Sequence, residues 1–216
     1  MAKTRSKSFE KWLYEEVEQS FGLKRLRTHI LLDELSTLVL PVDEPNRNAI
    51  EVLRLRLFDY VDSWNEDEIK FLFISPFINL VNYMSDNYKI FMQRTMSVQY
   101  DNGTKTTIGK VEFMIAKGKQ IPQKPFFFLH EYKQENRRDN DPLGQLLIAM
   151  VAAQVQNKDN EVLYGCYVSG RNWFFVVMEG KNYVVSNAFN ATNDDIFQLY
   201  AILLFFKQKI EEKFAN

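Results

Sequence analysis

Pro125-Phe126-Phe127-Phe128-Leu129-His130-Glu131-Tyr132-Lys133 is the stretch of this 216-residue chain that best indicates how it folds. Its four consecutive apolar residues are typical of a central strand that is covered on both faces of a sheet. Strand alternation then puts Glu131 and Lys133 on one face, about 7 Å apart along the chain. Two charges therefore stand where an apolar strand should continue inward, which predicts a candidate site at the end of this strand.

The two strands before this stretch are predicted to form a hairpin. Residues 89–100 and residues 107–116 both read as strands, and Asn102-Gly103 between them is the usual dipeptide of a tight hairpin turn. A short polar loop then leads to the apolar strand at residues 125–134. This order predicts that the second and third strands are neighbours.

In the second strand, Glu112 interrupts the regular pattern. Val111, Phe113 and Ile115 are predicted to point to one face, so Glu112 points to the other. If the second and third strands are neighbours, the carboxylate of Glu112 can converge with the charged side chains that begin at Glu131.

Helices and further strands surround these three strands. Asn65 followed by Glu68 has the spacing of a capping box, and Pro76 is expected to kink the helix that they open. Helices are predicted over residues 8–21, 27–39, 48–64, 65–83, 142–156 and 194–214, and further strands over residues 162–168, 173–178 and 183–186. This order predicts an α/β fold with a mixed central sheet flanked by helices on both faces. We expect an N-terminal helical extension over residues 1–64 and an α/β domain over residues 65–216, packed as one compact unit.

Composition and charge narrow the classes of function. The formal net charge is -1, whereas proteins that bind nucleic acid over much of their surface are usually basic. Any nucleic-acid site on this chain must therefore concentrate positive charge locally.

Cys166 is the single cysteine, which excludes an intrachain disulfide and fits a reducing compartment. No run of about 18 apolar residues occurs, so we expect no membrane span and a cytoplasmic protein. The few histidines and the absence of a Gly-rich phosphate loop argue against zinc and against nucleotide hydrolysis.

The charged residues of the second and third strands fit metal-dependent cleavage of a phosphodiester bond. Mg²⁺ prefers carboxylate and carbonyl oxygens, so Glu112, Glu131 and the backbone carbonyl of Tyr132 can hold one or two ions. The ions would polarise a phosphoryl oxygen and activate a water molecule. The ammonium of Lys133 would position that water or stabilise the charge that develops.

These residues resemble the active-site motif of the PD-(D/E)XK nuclease superfamily. Glu131-Tyr132-Lys133, with an acidic residue one strand earlier, is similar to the core of that motif. The run Gly109-Lys110-Val111-Glu112-Phe113 and the run that ends at Lys133 resemble, more narrowly, the N-terminal nuclease domain of the R subunits of type I restriction enzymes. Glu66 and Lys70, ahead of Ile74-Ser75-Pro76, resemble the acidic helix start of that domain.

The resemblance implies a restriction-endonuclease-like fold and a nuclease that cleaves DNA with Mg²⁺, or with Mn²⁺ in its place. It implies that Glu131 is a metal ligand, that Lys133 is the catalytic lysine, and that Glu112 stands at the position of the usual aspartate. Glu66 would be a further acidic group at the edge of the metal site, and Gln145 a helix residue that faces the substrate. DNA is the expected partner, and a homodimer or a larger complex is left open.

Each of these residues also has a simpler interpretation. Glu131 and Lys133 can be a solvated pair at the end of an edge strand, and Glu112 can be an exposed strand residue. Glu66 can serve the helix N-terminus, where acidic side chains are favoured. Gln145 lies among apolar neighbours and can be an ordinary helix glutamine.

Two departures from the family pattern keep a second function open. Glu112 is one methylene longer than the aspartate of the family, and Ala149 stands where some relatives place a tyrosine after the helix glutamine. The alternative is a catalytically inactive nuclease-like module that binds nucleic acid or protein. A third interpretation is an interaction protein in which the N-terminal helices dock a partner.

Overall fold

The computed structural model describes residues 6–132 and 141–214, without the side chains of Leu31, Ser36 and residues 129–132. The helices of this part are α1 (Tyr14–Phe21), α2 (Ile30–Thr37), α3 (Glu44–Tyr60), α4 (Glu66–Ile69), α5 (Ser75–Val81), α6 (Pro142–Asn157) and α7 (Asp195–Phe214), with a 3-10 helix at Phe9–Lys11 and a π-helix at Lys70–Ile74. The strands are β1 (Lys7–Ser8), β2 (Lys24–Arg25), β3 (Lys89–Tyr100), β4 (Lys105–Lys117), β5 (Gln123–Tyr132), β6 (Leu163–Ser169), β7 (Asn172–Glu179), β8 (Asn182–Val185) and β9 (Phe189–Asn190).

All the strands belong to one sheet. Its order is β1-β4-β5-β6-β7-β8-β2, with β3 paired to β4 and β9 paired to β7. The pairs β3–β4, β4–β5, β6–β7 and β7–β8 are antiparallel, whereas β5–β6 is parallel. The prediction of an α/β fold with a mixed central sheet is confirmed, and so is the predicted adjacency of β4 and β5.

The sheet separates two hydrophobic cores. In β7, Phe175 and Val177 pack in one core while Val176 and Met178 pack in the other, as strand alternation requires. The first core is completed by α3, the helical segment 66–81 and α7. The second core is completed by α1 and α6. Helices therefore cover both faces of the sheet, as predicted.

The N-terminal segment differs from the single helix that was predicted over residues 8–21. Lys7 pairs in parallel with Thr107 of β4, and α1 begins only at Tyr14. Trp12 lies between these elements, 2% exposed, and its Nε1 donates to Thr107 Oγ1 at 2.8 Å. Because Trp12 is inserted against the sheet, the chain around it is extended or forms a 3-10 turn. The helical spacing of apolar residues predicts the second half of this segment and misses the first.

Asp141 joins the starts of α1 and α6. Its Oδ1 accepts a hydrogen bond from Gly144 N at 3.0 Å, which caps α6, and its Oδ2 accepts one from Tyr14 N at 2.6 Å. The two helices approach so closely that a Cβ on Gly144 would lie 2.3 Å from the carbonyl oxygen of Trp12. The predicted start of α6 at Asp141 and Pro142 is confirmed.

The helical segment that runs from Glu66 to Val81 has an irregular middle. It opens with the predicted capping box, in which Asn65 Oδ1 accepts from Glu68 N at 3.0 Å. Pro76 has no N–H to donate and its ring crowds the preceding turn. The helix widens into the π-helix one turn earlier, where Ser75 N donates to the carbonyl of Lys70. The kink expected at Pro76 stays a prediction, and the structure has a π turn one turn before it, beginning at Lys70.

None of the helices in residues 6–132 and 141–214 has both the length and the hydropathy that crossing a membrane requires.

Candidate functional site

A three-residue charge cluster connects the helical segment 66–81 to strand β4. Lys70 Nζ lies 2.8 Å from Glu66 Oε1 and 3.2 Å from Glu112 Oε1. Glu66 and Lys70 are one helical turn apart, so the α-helix holds them together, whereas Glu112 comes from the sheet. We call these three residues the Glu66–Lys70–Glu112 cluster.

The cluster is mostly shielded from solvent. The side chains of Glu66, Lys70 and Glu112 are 21%, 23% and 18% exposed. Burial opposes the charged form of Lys70, but hydrogen bonds and charges from Glu66 and Glu112 outweigh this effect and raise the pKa of Lys70 above its ordinary value. Lys70 therefore stays protonated at neutral pH, as an ammonium between two carboxylates.

The direction of Glu112 results from a break in strand alternation. Val111 packs in the second core, but Phe113 and Ile115 pack in the first core, so the predicted common face of these three residues is wrong. Glu112 lies next to Lys70, beside the elements of the first core. The break coincides with Gln93 on β3, whose φ of 54° interrupts the regular strand opposite Glu112. The irregularity lets Glu112 and Phe113 both face the helical segment 66–81.

Glu112 also stands where two strands part. The paired positions of β4 and β5 end at Phe113 and Leu129. Beyond that point β4 remains paired with β3, and β5 remains paired with β6 as far as Tyr132 and Ser169. We call this place the β4–β5 fork. Farther along the same edge of β4, β1 pairs with Thr107 and Ile108, so the fork spans the part of that edge between β5 and β1.

Glu131 occupies the other arm of the fork. Its backbone pairs with Val168 of β6, two residues beyond Leu129, where the pairing between β4 and β5 ends. The predicted backbone ligand, Tyr132, is the last residue of β5 and pairs with Ser169. Lys133 lies outside the described residues, as does the side chain of Glu131. The structure thus places β5, the strand that carries Glu131, beside β4. The convergence of the Glu112, Glu131 and Lys133 side chains stays a prediction.

Gln145 lies in a different place from the charge cluster. It is in the first turn of α6 and is 6% exposed. Its neighbours Leu143 and Leu146 pack in the second core, whereas the helical segment that carries Lys70 packs in the first core. The predicted role of Gln145 in facing a substrate stays a prediction.

The described side chains supply only part of a metal site. Among them, no group of three or more His, Cys, Asp or Glu residues could hold an ion, and the cluster contributes two carboxylates. A third oxygen ligand would have to come from β5, where Glu131 and the carbonyl of Tyr132 are the predicted donors. Cys166 is fully buried, and burial raises the pKa of its thiol well above the ordinary value, as suits a structural residue.

The role of Lys70 is the main feature that the sequence reasoning missed. The spacing of Glu66 and Lys70 indicates a helix ion pair, but a contact between Lys70 and β4 has no local signal.

Neither the known protein families nor the curated proteins contain a match to this chain. What is established is an α/β protein whose mixed sheet carries a partly buried charge cluster beside a strand fork.

Proposed function

We propose that this protein is a metal-dependent nuclease that hydrolyses phosphodiester bonds of DNA and has a restriction-endonuclease-like fold. The observation that carries the proposal is the β4–β5 fork, with Glu112 on one arm and the backbone of Glu131 on the other. Carboxylates on the two arms of the fork would hold an ion between them, and that ion would bind a phosphate.

In this proposal the oxygen ligands come from both arms of the fork. Glu112, Glu131 and the carbonyl of Tyr132 hold Mg²⁺ or Mn²⁺, and Glu66 stands at the edge of the site. When bound, the ion supplies charge that polarises the scissile phosphate and activates a water molecule. Lys133 directs that water or stabilises the negative charge that develops on the phosphoryl oxygens.

The partial burial of the Glu66–Lys70–Glu112 cluster supports this assignment, because burying charged side chains costs free energy of hydration. Placing three charged side chains at about one-fifth exposure removes hydration that an exposed ion pair would keep. Such an arrangement adds little net stability and is typical of a functional site. In the proposed nuclease, Lys70 holds Glu112 in position until an ion binds.

A plasmid nicking assay with Mg²⁺ and with Mn²⁺ tests the proposal. We expect nicking by the wild-type chain and its loss in Glu112→Gln, in Glu131→Ala and in Lys133→Met. Glu179→Gln is the matched control, because Glu179 is a partly exposed acid at the end of β7 that pairs with His29. A wild-type chain that leaves supercoiled and single-stranded DNA intact with both ions would contradict the proposal.

One observation favours a second function, a catalytically inactive module that binds nucleic acid. Lys70 already neutralises Glu112 at 3.2 Å, so an ion must compete with an internal ammonium for that carboxylate. If the competition fails, the fork binds DNA without cleaving it. This function predicts equal DNA affinity in EDTA and in Mg²⁺ and no nicking, whereas the nuclease predicts tighter binding with a divalent ion.

A cytoplasmic location and DNA as the partner belong to the same proposal. The single thiol of Cys166 fits a reducing compartment, as the cytoplasm is.

A further inference from the structure

A cavity of about 340 Å³ lies between the segment that connects α2 to α3 and the first turns of α7. Apolar side chains make most of its wall, among them Leu38, Val42, Phe197 and Ala201. This volume falls within the range of small-molecule sites in proteins, which is roughly 300–1,000 Å³. The cavity belongs to the first core's side of the molecule and involves none of the residues of the β4–β5 fork.

The lining of the cavity includes one cation, the exposed Arg47. The guanidinium of Arg47 lies 4.8 Å from the ring centroid of Phe197, so a cation–π contact restricts its position. Within the described part of the chain, Arg47 forms no ion pair. The acidic side chain one turn before it, Asp43, is occupied in capping α3, because its two oxygens accept from Asn46 N at 2.9 Å and from Asn46 Nδ2 at 2.8 Å.

Two helix ends border the cavity. Arg47 lies in the first turn of α3, and Phe197 lies in the first turn of α7. The partial positive charge of these helix ends is offset by acidic side chains, because Asp43 caps α3 and Asp195 lies in the first turn of α7. None of the residues that line the cavity is acidic, so Arg47 supplies the positive charge of the lining.

We propose that this cavity binds a small carboxylate that carries a short apolar chain or ring. The carboxylate pairs with Arg47, whose planar guanidinium can donate two parallel hydrogen bonds to the two oxygens. The apolar part lies against Leu38, Val42 and Ala201 and removes their surface from water. The proposal does not depend on nuclease activity, because its residues are separate from those of the fork.

Titration of the full chain with hexanoate, hexylammonium and hexanol, followed by calorimetry and by amide NMR shifts, tests the proposal. We expect saturable binding of hexanoate alone, with shifts around Arg47 and Phe197. Arg47→Gln should weaken hexanoate binding by about tenfold or more, since a charge-assisted bidentate contact is lost. Val42→Trp should abolish binding by filling the cavity.

The matched control is Arg56→Gln, an exposed arginine farther along α3 that is not part of the cavity. It should bind hexanoate as the wild-type chain does. Equal binding of hexylammonium or hexanol, unchanged affinity in Arg47→Gln, or no saturable binding of hexanoate would each overturn the proposal. Thermal unfolding of every variant establishes that a lost signal reflects the cavity and not the fold.

Discussion

Lys70 and Glu112 are 42 residues apart in the chain, yet Lys70 Nζ lies 3.2 Å from Glu112 Oε1. This contact links the helical segment 66–81 directly to the β4–β5 fork. It uses two local irregularities, the π turn that begins at Lys70 and the break in alternation at Glu112. Within α-helices, π turns occur frequently at functional sites.

Replacing Lys70 with methionine should destabilise the chain at neutral pH. The change leaves Glu66 and Glu112 partly buried and close together without their shared cation, which costs roughly 1–3 kcal/mol. Urea unfolding at neutral pH measures the loss, and the double variant Lys70→Met/Glu112→Gln should recover part of it.

The stability that Lys70 contributes should be lost only at high pH. The folded pKa of Lys70 is raised, so its stabilising contribution is fully present below the unfolded pKa and is lost as the pH rises through the folded pKa. The difference between wild type and Lys70→Met should stay constant up to about pH 10 and decrease above it. A difference that decreases already near neutral pH would show that the ion pair is not the source of the stability.

Mg²⁺ should stabilise the folded chain through the fork. A ligand that binds only the folded state at a concentration about 100 times its Kd adds about 2.7 kcal/mol. We expect Mg²⁺ to raise the Tm of the wild-type chain and to leave the Tm of Glu112→Gln unchanged. Glu179→Gln should respond as the wild type does. The same rise in Glu112→Gln would place the ion elsewhere.

Much of the fold could be predicted because its signals are local. The bounds of β3 were predicted as residues 89–100, and the structure has Lys89–Tyr100. The capping box at Asn65 was predicted from spacing alone, since its partners lie within one turn. Strands β1 and β2 were missed because each has two residues and pairs with a strand far along the chain. A strand this short leaves no periodicity to read.

The candidate site was less predictable than the fold. Placing Glu112 required the assumption of strict alternation along β4, which the structure breaks between Val111 and Phe113. The break coincides with the positive φ of Gln93 on the neighbouring strand, and no property of the β4 sequence indicates it. The contact of Lys70 with Glu112 depends on the same break. Site geometry that results from two irregular elements meeting cannot be inferred from either element alone.

Replacing Asp141 with alanine should cost more stability than replacing Asp43. Both residues cap a helix, and loss of the Asp141 cap costs about 0.5–2 kcal/mol. The second oxygen of Asp141 accepts a hydrogen bond from Tyr14 N at 2.6 Å and so joins α6 to α1, whereas the second oxygen of Asp43 accepts from the side chain of Asn46 in its own helix. The excess in Asp141→Ala, measured by urea unfolding, reports the bond that joins α1 to α6. Equal losses in the two variants would show that this bond adds no net stability.

A chain that starts at residue 65 should fail to form the native structure. Deleting residues 1–64 removes Trp12 and Val17 from the second core and Ile50 and Leu57 from the first core. Each of these side chains is at most 2% exposed. Burial of one such side chain is worth about 1.5–3 kcal/mol, so the loss from these four, roughly 6–12 kcal/mol, is as large as the usual stability of a domain. Near-ultraviolet circular dichroism and urea unfolding of residues 65–216 measure the outcome, with and without residues 1–64 added as a separate chain. We expect no cooperative transition for residues 65–216 alone and partial recovery on mixing. A cooperative transition and a native spectrum without the added chain would instead show that the α/β domain folds independently and that the first 64 residues are an extension of it.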